Sequence, residues 1–376
     1  MDLNAKRICF FMENLYGGGA ERSMLTTAIG FKDKGYAVDL FLISADGAYR
    51  KDVPKDIRII ESGIYRYKLT LIILFFKIVR HILFIKPDAI VSALNVCNIL
   101  LIFAKIITRS KVKCLVTIRN IEDTLVSKKY IIRYCKHELL SKMQVFLSPC
   151  ADKIVTVSLG LADYVKSKNH CSSAKLVTIY NPVNSEEIIA KSKENIDVTI
   201  GLNNDSLPVV ITSGRLHSDK NFSALITAIK KVHQRMLVHL IILGDGDLRD
   251  ELQELIDRLE LQSYVDLLGF KDNPFAYMSH SDLFVLSSNH EGFGRVLVEA
   301  MACGCPVVST DCPSGPREIL EDGKWGRLVP IGDIDAMAEA IIDTLENPIP
   351  KKLLVERAKY FSIERAVAEY ERVIYG

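Results

Sequence analysis

The segment Asn289-His-Glu-Gly-Phe-Gly-Arg-Val-Leu-Val-Glu299 sets two carboxylates eight residues apart around a pair of glycines. It follows the apolar run Leu283–Leu286. Glu291 is therefore expected in the loop after a strand, and Glu299 about two turns into a helix that begins near Gly294. Gly292 and Gly294 leave backbone N–H groups open at the helix start, where partial positive charge favours an anion or a sugar hydroxyl. A second cluster, Gly214-Arg-Leu-His-Ser-Asp-Lys-Asn221, follows the run Val209–Ser213. At the carboxyl end of a parallel strand, Arg215 and Lys220 can clamp a diphosphate between a planar fork and a point charge. A third, Leu15-Tyr-Gly-Gly-Gly19, follows the first apolar run and precedes a helical segment beginning near Ala20. Gly17, Gly18 and Gly19 allow close backbone approach to a ligand. Their spacing is not that of a dinucleotide fingerprint, and no acidic residue ends the second strand to bind a ribose. Alone, this loop reads equally well as a tight strand-to-helix turn.

Other candidate chemistry is weaker. Asp245-Gly-Asp247 has the form of a metal-binding carboxylate pair, but it belongs to a strand-to-helix turn in which Asp247 is placed as an N-cap. The eight histidines show no ligand spacing, and only His290, beside Glu291, is singled out among them. The nine cysteines contain no CxxC pair, so reduced, buried thiols are expected rather than zinc ligands or disulfides. No metal site is expected.

The elements that position these groups follow from alternating short apolar runs and longer helical patterns. Strands are expected at Ile8–Met12, Val38–Ser44, Ala89–Ser92, Cys114–Ile118 and Lys153–Ser158, then at Val209–Ser213, His239–Leu243, Val265–Leu268, Leu283–Leu286 and Pro306–Ser309. Continuous Val/Ile/Leu runs fit strands buried on both faces, as in parallel sheets built from βαβ units. Tyr180–Ser185 and the polar stretch through Ser206 read as a linker, and Ser362–Ile374 as an amphipathic helix. The expected fold is α/β with two Rossmann-like domains facing a central cleft. The first spans residues 1–183 with a C-terminal helix at 361–376, and the second spans 184–360.

The charge balance divides along the same line. Residues 1–181 hold 28 Lys and Arg against 15 Asp and Glu, a balance of +13, while the remainder holds 20 against 31, a balance of −11. The N-terminal half is thus suited to an anionic partner. Within it, Arg66, Lys68, Lys77 and Arg80 flank an apolar helical stripe, as expected of a helix lying on anionic lipid, and Lys105, Arg109, Lys111 and Lys113 extend the positive field. No nucleic-acid-binding motif accompanies the charge. The longest apolar stretch, Leu69–Phe76, is far below the ~20 residues that span a bilayer, and Ile8–Met12 stops at Glu13, so neither a transmembrane helix nor a signal peptide is expected.

With these motifs in sequence, the chain resembles the retaining glycosyltransferases of family 4, also called group 1, which have the GT-B architecture. The resemblance rests on the glycine loop, the Gly214-Arg215-x4-Lys220 pattern, the Gly244-Asp-Gly246 turn and the Glu291-x7-Glu299 element, and it covers essentially the whole chain. Ser314-Gly-Pro-Arg-Glu318 is most similar to bacterial enzymes that build O-antigen, capsule or lipid-linked oligosaccharides. The resemblance implies that Glu299 binds the ribose of a nucleotide sugar and that Glu291, with the backbone of Gly292, Phe293 and Gly294, holds the sugar ring. It implies that Arg215 and Lys220 stabilise the departing diphosphate, that Phe270 meets the base, and that Val296 and Leu297 join the donor site. Gly17–Gly19 would approach the diphosphate from the first domain.

The same resemblance places a histidine after the fourth strand of the first domain, where this chain has Thr117-Ile-Arg-Asn120; Arg119 or Asn120 would take its place. The implied activity is metal-independent, retaining transfer from a nucleotide sugar, expected to be UDP-linked (UDP-GalNAc, UDP-GlcNAc, UDP-Gal or UDP-Glc). The acceptor would be a polyprenyl-diphosphate-linked saccharide at the inner face of a bacterial plasma membrane, approached through Arg66, Lys68, Lys77, Arg80, Arg119 and Asn120. The alternatives are a UDP-sugar 2-epimerase on the same fold and a non-catalytic sugar-nucleotide-binding partner of an assembly complex.

Overall fold

The computed structural model describes residues 6–16, 18–61, 67–119, 131–168, 172–195 and 207–376, with residues 67, 68 and 131–138 described by backbone alone. The chain forms two compact units, Met1–Pro182 with Ile363–Gly376, and Val183–Ser362.

In the first unit the described residues form strands β1 (Arg7–Met12), β2 (Ala37–Leu42), β3 (Arg58–Glu61), β4 (Ala89–Ala93), β5 (Lys113–Ile118), β6 (Lys153–Thr156) and β7 (Leu176–Thr178). All pair in parallel, in the order β3-β2-β1-β4-β5-β6-β7. The connecting helices are α1 (Gly19–Asp33), α2 (Tyr67–Arg80), α3 (Asn95–Thr108), α4 (Ile131–Leu147) and α5 (Leu159–Lys168). The period of two explains why β1 is apolar throughout. Ile8, Phe10 and Met12 pack with Met24, Leu25, Ala28 and Phe31 of α1. Cys9 and Phe11 point the other way, into Ile78, Ile82, Cys97, Leu101 and Ala104 from the α2 and α3 side. Truncating a fully buried phenylalanine such as Phe10 costs about 3–5 kcal/mol.

In the second unit the strands are β8 (Val209–Ser213), β9 (His239–Leu243), β10 (Val265–Gly269), β11 (Leu283–Leu286), β12 (Val307–Thr310) and β13 (Arg327–Val329), parallel in the order β10-β9-β8-β11-β12-β13. Around them lie α6 (Ser185–Lys191), α7 (Phe222–Val232), α8 (Arg249–Arg258), α9 (Pro274–Ser279), α10 (Arg295–Ala302), α11 (Pro316–Ile319), α12 (Ile334–Glu346) and α13 (Lys351–Lys359). The last helix, α14 (Ile363–Tyr375), returns to the first unit and packs Ala366, Val367, Tyr370 and Ile374 into the α1 core. The described residues thus show α/β architecture with two parallel sheets.

Three strands, β3, β7 and β13, are absent from the sequence reading. Each is an edge strand of three or four residues with partial exposure, so none carries an apolar run. Part of the stretch read as linker is instead helix α6, started by Asn184, whose Oδ1 accepts from the Glu187 N–H at 3.1 Å. The thiol expectation also needs correction, because Cys150 is exposed; Cys9, Cys97, Cys114, Cys305 and Cys312 are buried.

One buried charge cluster ties the first sheet together. Asp39 in β2 is fully buried and accepts from Arg7 at 3.1 Å and from Arg58 at 2.8 and 2.9 Å. His81 Nε2 lies 3.1 Å from its carboxylate and 3.2 Å from Cys9 Sγ. Burial pushes the Asp39 carboxyl up, but bonds from His81 and Arg58 and the charges of Arg58 and Arg7 outweigh it and hold the group well below its ordinary value. Among the described residues, Cys9, Asp39 and His81 are the three metal-ligand types brought within reach of one ion. Two guanidinium groups already neutralise that carboxylate, so the cluster reads as a structural charge pair.

Candidate functional site

The strand orders locate the sites. In the second sheet the connection reverses direction between β8 and its neighbours β9 and β11, and ligands of open α/β sheets bind beyond the carboxyl ends of the strands at such a reversal. The loops that leave β8 and β11 there carry Arg215 with Lys220, and Glu291 with His290. The first sheet reverses likewise at β1, between β2 and β4, and the glycine loop leaves β1.

Lys220 and Glu291, remote in sequence, meet at 2.5 Å between Nζ and Oε1. Ser288 Oγ donates to the same Glu291 oxygen at 2.7 Å, and the Glu291 side chain is only 12% exposed. The loops themselves are stitched together. Ser287 Oγ donates to the Lys220 carbonyl at 2.7 Å, the Asn289 N–H to the Asp219 carbonyl at 2.7 Å, and Asn221 Nδ2 to Asn289 Oδ1 at 3.0 Å. Behind them, Thr310 Oγ1 donates to the Ser288 carbonyl and Ser314 Oγ to the Glu291 carbonyl, each at 2.5 Å. A carboxylate whose Oε1 is doubly bonded keeps Oε2 as the oxygen available to a hydroxyl.

Arg215 is exposed, and among the described residues no partner holds its guanidinium, so it is free to meet an anion. Its loop is carried on the Gly244-Asp-Gly246 turn. Gly244 has φ of +136°, and a Cβ there would lie 1.9 Å from the Gly214 carbonyl oxygen. Asp247 is not the N-cap expected of it. Helix α8 starts after Leu248 without a side-chain cap, and Asp245 turns its Oδ1 onto the Gly246 N–H at 2.9 Å.

Helix α10 begins after Gly294 and puts Glu299 just over one turn in, shallower than the sequence reading, with Arg295 Nε donating to its Oε1 at 2.7 Å. Both side chains are largely buried. Phe293 is buried, with its ring turned into the core against Phe361, and Gly315 approaches so closely that a Cβ would lie 1.9 Å from the Phe293 carbonyl oxygen. Gly292 and Gly294 are buried beside it. Leu297 is fully buried and its N–H already donates to the Gly294 carbonyl, while Val296 is half-buried. Phe270, after β10, is 68% exposed. Burial pushes the nearby Cys312 thiol up to about 12, with Glu291 adding to the effect, which keeps it a protonated bystander.

In the first unit Gly18 caps α1 and Gly19 opens it, and a Cβ on Gly18 would lie 2.2 Å from Glu21 Oε2, so this carboxylate folds over the helix start. Arg119 follows β5 and donates to Asn181 Oδ1 at 2.9 Å, an oxygen that Ser23 of α1 shares at 2.8 Å. Gly17, Arg66 and Asn120 lie outside the described residues, as does the side chain of Lys68. Lys77 donates to the Glu61 carbonyl at 2.5 Å and Arg80 is exposed. Lys105 departs from the expected surface field: its amine is turned onto the Ser110 and Val112 carbonyls and onto Asp152 at 2.9 Å.

Sequence reasoning missed Ser287, Ser288, Thr310, Ser314 and Arg295. The signal was present for the serines: two hydroxyl residues directly after the apolar strand Leu283–Leu286, at the strand end where ligands sit.

Residues 193–361 match the family model described as glycosyl transferases group 1, and residues 17–187 match that of glycosyltransferase family 4. A Campylobacter jejuni N-acetylgalactosamine-N,N'-diacetylbacillosaminyl-diphospho-undecaprenol 4-alpha-N-acetylgalactosaminyltransferase is 34% identical over 61% of this chain and 61% of its own length. The chain thus spans about three fifths of that relative. A glycosyltransferase of Methanocaldococcus jannaschii with no characterised activity in its name is 29% identical over 80% of this chain and 82% of its own. Among solved structures, Anabaena HepE in complex with UDP-glucose is 23% identical, with a TM-score of 0.76 over 98% of both chains, a likeness of fold. Two parallel-sheet units, a stitched Lys220–Glu291 site at a strand-order reversal and matches along nearly the whole length lead to one conclusion: the chain belongs to the family 4 and group 1 glycosyltransferases of the GT-B fold.

Proposed function

We propose that the chain transfers a sugar from a nucleotide sugar, UDP-linked, to a saccharide carried on a polyprenyl diphosphate, with retention at the anomeric carbon and without a metal ion. The observation that carries this reading is the Lys220–Glu291 pair, held with exposed Arg215 at the carboxyl ends of β8 and β11. In it, the glycosidic C–O bond to the diphosphate breaks while the acceptor oxygen bonds the same carbon from the same face, and the acceptor proton passes to a diphosphate oxygen. Lys220 and Arg215 meet the charge that develops on the leaving group, a job worth roughly 3–4 kcal/mol per well-placed donor. Glu291 Oε2 holds a sugar hydroxyl and Glu299 the ribose.

The acceptor class is supported by the Campylobacter jejuni relative, named for transfer onto a diphospho-undecaprenol saccharide. A Rhizobium meliloti lipopolysaccharide core glycosyltransferase, 31% identical over 59% of this chain and 61% of its own, supports an envelope polysaccharide role. No helix among the described residues is long and apolar enough to cross a membrane. In this reading the protein reaches its acceptor from the inner face of the plasma membrane. Nucleotide release from UDP-Glc, UDP-Gal, UDP-GlcNAc, UDP-GalNAc and GDP-Man, with EDTA and with or without bacterial lipid extract, tests it. Release from one UDP-sugar only when lipid is present is expected. Release that requires a divalent metal, or none with any donor in the presence of lipid, overturns it.

A further inference from the structure

Helices α2 and α3 each carry two apolar faces. The inner faces, Leu74, Ile78 and Ile82 on one and Cys97, Leu101 and Ala104 on the other, are buried against the first sheet. On α2 the residues Leu69, Ile72 and Phe76, and Leu83 in the π-helical turn His81–Ile85 that continues it, recur at spacings of three, four and seven. At about 100° per residue they fall on the side opposite Leu74 and Ile78. On α3, Phe103 and Ile106 likewise stand opposite Leu101, and Ile107, one turn from Phe103, extends that outer face along its flank. All of these outward residues are exposed, Phe76 by 64%, Ile107 by 63% and Phe84 in the same turn by 76%. The two helices pack side by side, so their outer faces form one apolar surface.

A soluble surface helix is polar on its outer face; one apolar on both faces is covered by something else. The charge around this surface says by what. Residues 67–119 contain nine Lys and Arg and a single acid, Asp88, which is itself bonded to the Arg7 N–H. The exposed cations Arg80, Lys86, Arg109, Lys111 and Lys113 gather toward the C-terminal ends of the two helices. There Lys86, Lys111 and Lys113 also line a cavity of about 480 Å³. Apolar side chains rimmed by cations match acyl chains beneath anionic headgroups.

We propose that the outer face of α2, its π-helical turn and α3 is the surface by which the protein seats itself on an anionic lipid bilayer. Phe76, Leu83, Phe84 and Ile107 enter the acyl boundary, and Arg80, Lys86, Arg109, Lys111 and Lys113 meet the headgroups. The inference rests on the proposed lipid-linked acceptor for its purpose, but its test needs no acceptor.

Flotation is measured with vesicles of phosphatidylethanolamine and phosphatidylglycerol, and with vesicles of phosphatidylcholine alone. The wild-type protein is expected to float with the anionic vesicles, less so at high salt, and not with the neutral ones. Phe76→Ser combined with Ile107→Ser removes flotation, and Lys111→Gln with Lys113→Gln weakens it roughly fivefold per cation. Both variants keep the wild-type circular dichroism and melting, because the residues are exposed. A wild-type protein that stays in solution with anionic vesicles overturns the proposal, as do variants that float equally well. So does a wild-type dimer in light scattering that becomes monomeric in Phe76→Ser with Ile107→Ser, which assigns the face to a second copy. Vesicle binding with no nucleotide release from any donor in the presence of lipid extract sinks the proposed transfer and leaves this surface standing; nucleotide release from a donor with a soluble acceptor analogue, without vesicle binding, does the reverse.

Discussion

Replacing Ser288 with alanine isolates the positioning of Glu291 from its chemistry. The Ser288 hydroxyl is fully buried and donates to Glu291 Oε1 at 2.7 Å, while Lys220 donates to the same oxygen at 2.5 Å. A hydrogen bond to a charged group is worth about 1.5–3 kcal/mol, and the surviving lysine bond puts the loss at the lower end, about 1.5 kcal/mol or roughly tenfold. The loop itself stays in place, because Thr310 bonds the Ser288 carbonyl rather than its side chain. Since Glu291 is assigned to the sugar ring and Glu299 to the ribose, kcat/KM for the nucleotide sugar falls about tenfold while calorimetric affinity for UDP alone is unchanged. In a cycle with Lys220→Met the double variant loses less than the sum of the singles by more than about 0.5 kcal/mol, because both donors anchor one oxygen. An unchanged kcat/KM, a parallel loss of UDP affinity, or additive losses would refute the assignment.

Arg295→Met unpins Glu299 and weakens UDP binding by about tenfold, with Arg295→Lys recovering part of it, as read by calorimetry. Asp39→Asn leaves Arg7 and Arg58 without their shared anion. Both guanidinium groups are partly exposed, so the cost sits near the low end for a broken buried pair, about 3 kcal/mol by urea unfolding. The wild-type Asp39 carboxyl, held below its ordinary value of about 3.9, contributes stability that is complete above that value. This contribution is lost as pH falls through the lower native value, and Asp39→Asn flattens that acid limb of the stability profile.

Much of this architecture was legible because central parallel strands are apolar on both faces. Val209–Ser213, His239–Leu243 and Leu283–Leu286 are read from the sequence with the bounds they have in the structure. The edge strands β3, β7 and β13 were not, because an edge of three or four residues buries too little to impose a run. At the site, Arg215 and Glu291 stand out as charges beside glycines just after apolar runs, and Lys220 and Glu299 by their spacing from them. Ser288 and Thr310 do not, since their importance lies in which atom 2–3 Å away they meet, a relation set by the packing of separate loops. The outward faces of α2 and α3 were half legible: the cations on α2 were visible, whereas exposure of Phe76, Phe84 and Ile107 emerges only once the inner face is known to lie on the sheet.

The most direct test follows a labelled sugar from its UDP-linked donor into lipid-extractable product, with EDTA present, for the wild-type protein and for Glu291→Gln and Lys220→Met at matched stability. Label is expected in the lipid fraction with wild type and to fall about a hundredfold or more with either variant. Equal labelling by all three proteins, or none by wild type with any donor, would contradict the assignment of Lys220 and Glu291 to sugar transfer.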